Sequence, residues 1–167
     1  MKTQLLKALR TIDRLERAVV VLGFGLITVI ILADVLGREL LGHGLYGSQV
    51  MGTYVLIVAS MAGFGLATSA GVQLRPRFAD RWIPQTWVPQ AVRLGQVATV
   101  ILAILLAWGG WQLVNSSLEL SDRQAMLHWL LWPFQATLVL GFGVAALRHL
   151  IYAAWPDLIP QPPADAQ

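Results

Sequence analysis

Four apolar runs constrain this chain more than any other feature. They cover about residues 18–36, 50–70, 95–114 and 127–151, each near the roughly 20 residues a helix needs to cross a bilayer. Their central portions contain no Asp, Glu, Lys, Arg or His. Hydrocarbon offers no partner to a free backbone N–H or C=O, so such runs fold as helices, which satisfy those groups internally. The expectation is an all-α integral membrane protein with four transmembrane helices forming one domain over 1–155. A Pro-rich tail follows over 156–167. Composition agrees, with 56% hydrophobic and only 13% charged residues, about half the charged share of a soluble domain.

The basic residues set orientation through the positive-inside rule. Lys2, Lys7, Arg10, Arg14 and Arg17 precede the first run. Arg75, Arg77, Arg81 and Arg93 lie between the second and third, and Arg148 is near the end of the fourth. Only Arg38 and Arg123 fall on the opposite side. Both termini are therefore expected in the cytoplasm. The tryptophans sort with this topology, Trp82, Trp87 and Trp155 to the inner interface and Trp111, Trp129 and Trp132 to the outer. The net charge of +3 thus reflects topology and gives no reason to invoke nucleic acid.

Before the first run, residues 2–17 have an amphipathic pattern. Lys7, Arg10, Arg14 and Arg17 share one helical face, while Leu5, Leu9 and Ile12, with Val19 beyond, line another. This suits an interfacial helix lying on anionic membrane lipids before turning into the first span. The simpler alternative is a solvated basic start to that span.

No catalytic constellation stands out. With no cysteine in the chain there is no disulfide or thiolate site. Thr28, Thr53, Ser60, Thr99 and Thr137 are polar, but hydroxyls in helices bond to their own backbone. Gln135 is a candidate for an interhelical hydrogen bond. His43, His128 and His149 raise the question of haem. His128 and His149 are 21 positions apart in the sequence, roughly 30 Å along a helix, so no pair in the chain is placed to grip one haem. No cofactor is expected.

Two further patterns concern packing. Ala59, Gly63, Ala67 and Gly71 recur every fourth residue in the second run, a small-residue stripe that lets another helix approach closely. Packing within the subunit and docking of a partner both remain open for it. At the end of the first run, Asp34 precedes Arg38 by four residues, the favourable order for an ion pair on a helix. We expect a structural pair that fixes this helix end, against the alternative of a plain boundary marker.

In order along the chain, these motifs resemble one family. Asp34-Val35-Leu36-Gly37-Arg38, Ala62-Gly63, Asp80-Arg81-Trp82-Ile83-Pro84, and Pro133, Gly141 and Arg148 are similar to the small membrane subunit (DctQ type) of tripartite ATP-independent periplasmic, or TRAP, transporters. The resemblance spans about residues 14–155. Members often carry glutamates where this chain has Gly47-Ser48-Gln49-Val50, and a histidine and aspartate where it has Gln73 and Arg77.

The resemblance implies a non-catalytic scaffold subunit in the bacterial inner membrane. It would brace a large DctM-type membrane subunit that imports an organic acid with sodium, and help receive a DctP-type periplasmic binding protein. On the outer side, Glu119, Asp122 and Arg123 are candidate contacts for that protein, with an ordinary solvated loop as the alternative. The rival class is a membrane anchor of a redox complex. The purified chain is expected to show no Soret band, and a visible haem spectrum would favour the rival.

Overall fold

The computed structural model describes residues 2–70 and 87–159. Four helices make up nearly all of it: α1 Lys2–Leu41, α2 Ser48–Ser69, α3 Val88–Glu119 and α4 Trp132–Ala154, with a short 3-10 turn at Pro156–Leu158. All four are long and apolar enough to cross a membrane. Gly71, the basic residues Arg75, Arg77 and Arg81, Trp82 and the tail beyond Ile159 lie outside the described residues.

Two boundaries differ from the sequence reading. Residues 2–17 and the first span form one continuous helix of 40 residues, about 60 Å long. The expected turn between them does not occur, because no Gly or Pro interrupts the chain before Gly23. Helix α4 starts at Trp132 with Pro133 in its first turn, where the fixed φ of proline suits a helix start. Residues 120–131 instead form an ordered loop. The Gln124 side chain accepts backbone N–H bonds from Met126 and Leu127, His128 adopts a positive φ of 56°, and Arg123 faces Leu130 in an isolated antiparallel bridge.

The helices form two antiparallel hairpins, α1–α2 and α3–α4, joined mainly through α2 against α4. Helices α1 and α3 are the flanks. Both connecting loops lie at one end of the molecule, here called the loop end. There the Tyr46 hydroxyl donates to the Met126 carbonyl at 3.2 Å, and Leu127 leans over Gly47, whose φ of +76° starts α2. The start of α1 and the end of α4 lie at the opposite end, here called the terminal end.

Small residues set the helix spacing. A Cβ on Gly23 would lie 2.8 Å from that of Ala59, so α1 and α2 meet there nearly backbone to backbone. Gly141 faces Met61 between α4 and α2, and Gly110 faces Val139 between α3 and α4. The hydroxyls of Thr28, Thr53, Thr99 and Thr137 each donate to a carbonyl three or four residues back. They make no interhelical link through those bonds.

At the terminal end, Leu9 packs with Ile151 and Tyr152, and Leu5, Trp155, Leu158 and Ile159 close around them. Leu5 and Leu9 of the amphipathic segment thus pack on residues near the end of α4 and just beyond it, while Val19 stays exposed. Lys7, Arg10, Arg14 and Arg17 stay exposed on other faces. Gly25, unlike Gly23, has open space around it. Gly23→Leu should therefore lower stability by about 1–3 kcal/mol through overpacking, while Gly25→Leu leaves it nearly unchanged. Melting temperatures in mild detergent would compare the two.

Candidate functional site

Two polar nodes lie at the ends of the apolar helices, one linking three helices and the other fastening the end of α1 to its loop. At the terminal end, Arg148 of α4 is fully buried. Its Nη2 lies 2.7 Å from Asp13 Oδ1 and 2.6 Å from Glu16 Oε2, both on α1. Its Nη1 donates to the Gly65 carbonyl of α2. One guanidinium therefore binds three helices. The planar fork of arginine presents several fixed donors at once, which a lysine ammonium does not reproduce. Burying an unpaired charge is costly, and two carboxylates with a carbonyl offset that cost here. Gly65 permits the arrangement, since a Cβ there would overlap the Glu16 carboxylate.

His149, next in sequence, is also buried. Its Nδ1 pairs with Gln96 Oε1 of α3, and its ring meets Tyr152 edge to face. The structure encloses it between α3 and α4 near the terminal end. His43 and His128 are exposed. No group of three metal-binding side chains occurs among the described residues.

At the loop end, Asp34 is buried and pairs with Arg38 at 2.6 Å. Its other oxygen accepts the Leu45 backbone N–H at 2.8 Å. The carboxylate thus folds the loop back over the end of α1, which terminates at Gly42 with a left-handed φ of +77°. Gly44 packs directly on Asp34 and Arg38, with no room for a Cβ.

The other candidate residues are divided among several places. Ala59 is buried against Gly23, and Gly63 faces Val20, so both lie in the α1–α2 interface. Ala67 is exposed. Asp122 accepts a hydrogen bond from the Ser117 hydroxyl at 3.2 Å, and Arg123 donates to the His128 carbonyl at 3.1 Å. Both therefore help shape the loop, while Glu119 is exposed. Gln135 Oε1 is buried without a hydrogen-bond partner.

Between the nodes, α1 and α4 part over α2 to leave an apolar groove of about 240 Å³. Glu16 is its only ionisable lining residue.

With this framework in place, comparison of sequences settles the family. Residues 27–158 match the family described as tripartite ATP-independent periplasmic transporters, DctQ component. The chain belongs to the DctQ family. Comparison with curated proteins gives no match. As a DctQ component, the chain is a multi-pass membrane part of a TRAP transporter, and the match includes the Asp34–Arg38 node and all of α4. Asp13 and Glu16, the α1 half of the other node, precede the matched residues.

Sequence reasoning counted Arg148 for topology and passed over its partners. The available signals were its place in an apolar run and the three-residue spacing of Asp13 and Glu16 on one face. Arg148→Leu should destabilise the fold by about 3–5 kcal/mol, since it strands two carboxylates against each other. Arg148→Lys should recover only part of this, and Arg10→Gln on the exposed face should have little effect. Detergent-resistance and melting measurements on the purified chain would rank the three.

Proposed function

We propose that this DctQ subunit is a non-catalytic scaffold in the bacterial inner membrane, with cytoplasmic termini. It braces a DctM-type subunit that imports an organic acid with sodium, and helps receive a DctP-type binding protein. The observation that carries this reading is where the polar groups lie. The buried charged groups gather in two nodes near the ends, one joining three helices and one fastening the end of α1 to its loop, and the central portions of the spans hold no charged residue or histidine. A site that moves an ion or a carboxylate through the membrane needs such groups within it. Transport chemistry is accordingly assigned to the large subunit, and the exposed apolar flanks of α1 and α3 are the surfaces offered to it.

In this reading the Asp34–Arg38 pair holds the periplasmic end of α1 for assembly. Glu119, with the loop shaped by Asp122 and Arg123, faces the binding protein. The basic face of Lys7, Arg10, Arg14 and Arg17 meets anionic headgroups, and Ala67 is left for partner packing.

The test is affinity purification of the tagged chain from its native membrane, together with uptake by the whole system. A stoichiometric large polytopic membrane protein should accompany it. Asp34→Asn should lower both complex yield and uptake, with partial recovery in the charge-swapped double variant Asp34→Arg, Arg38→Asp. Co-purification of a flavoprotein or iron–sulfur subunit would overturn the proposal, and wild-type behaviour of Asp34→Asn would remove the node's role in assembly.

A further inference from the structure

We infer that the outward face of α3, at Trp108 and Gln112, packs against a membrane-spanning helix of the large subunit that offers hydrogen-bonding groups at the same depth. The inference rests on the proposed brace and deepens it by choosing between the two flanks. Helix α3 meets α4 along Ala103, Gly110, Val114 and Ser117, all buried, with Gly110 facing Val139. Trp108 and Gln112 each lie two positions from Gly110, which turns them about 160° away from it, onto the far side of α3. With Ile101, Leu105 and Asn115 they form a seam of 4-3-4-3 spacing, the pattern by which one helix presents knobs to another. Trp108 is 62% exposed and Gln112 is exposed as well.

Polarity distinguishes this flank from that of α1. Trp108 sits six positions before the end of the third apolar run near residue 114, about 9 Å inside it along the helix. Its indole N–H and the Gln112 amide make no hydrogen bond among the described residues. Hydrocarbon supplies neither donor nor acceptor, so such groups are costly against lipid and find their partners across helix–helix contacts. Gly109, beside Trp108, has open space around it, and a second helix can come close there. The flank of α1 differs. Between Ala18 and Ala33 its only polar side chain is Thr28, and that hydroxyl donates to the Phe24 carbonyl. It leaves no side-chain donor or acceptor unpaired, which suits lipid.

The experiment places a photoreactive phenylalanine analogue at Leu105 on the α3 seam or at Val29 on the α1 flank, which are 61% and 62% exposed. Each tagged chain is irradiated in native membranes that hold the whole transporter. Leu105 should cross-link to the large subunit, with a yield about tenfold above that from Val29. In a second measurement, Trp108→Phe keeps the ring and removes the N–H, and Gln112→Leu removes the amide. Each should weaken retention of the large subunit about threefold, on the scale of one interhelical hydrogen bond. Neither should shift the melting temperature of the chain purified alone, a readout that a merely structural role would move. Cross-linking from Val29 equal to that from Leu105 would overturn the inference. So would products from Leu105 that hold only lipid or a second copy of this chain, or undiminished retention by both variants. Where the large subunit accompanies the wild type but meets it through α1, the choice of flank fails and the brace stands. Where no large subunit accompanies the wild type, the brace itself fails.

Discussion

A guanidinium buried among apolar helices has to be paired, and that requirement organises the terminal end of this protein. Arg148 draws Asp13 and Glu16 from α1 and the Gly65 carbonyl from α2 onto one point of α4. Lipid offers helices no hydrophobic reason to associate, because its tails are as apolar as leucine. Close packing at Gly23 against Ala59 and at Gly141 against Met61 supplies dispersion contact, but such contacts favour approach without selecting one rotation. The charged node supplies that selection. It has one geometry in which all three helices contribute.

The loop end uses the same device on a smaller scale. Asp34 answers both Arg38 and the Leu45 N–H, and the two loops are fastened through Tyr46, Met126, Gly47 and Leu127. The two hairpins are thus held at one end by loops and at the other by the ion cluster. Where they part between these points, the groove opens. In a DctQ component this arrangement leaves the long flanks of α1 and α3 free of internal duty.

The sequence made the spans legible because bilayer thickness dictates their length and hydrocarbon excludes charge from their centres. The Asp34–Arg38 contact was also readable, since partners four residues apart on a helix need no knowledge of the fold. Arg148 was not readable in the same way. Its partners are more than a hundred positions distant, and only packing brings them within reach. The continuity of α1 was misjudged because amphipathic patterning suggested a surface helix. The absence of any helix breaker between Lys2 and Gly23 was the better guide, and Leu9 packs on Ile151 and Tyr152. Pro133 likewise marked the true start of α4.

The uninterrupted α1 has a mechanical consequence. A helix about 60 Å long has a stiffness that two helices joined by a turn lack. Pinned by Asp34 near one end and by Asp13 and Glu16 toward the other, it runs as one element from the loop end to the terminal end. A tilt of one degree at the loops displaces the first residues by about 1 Å over a rod of that length.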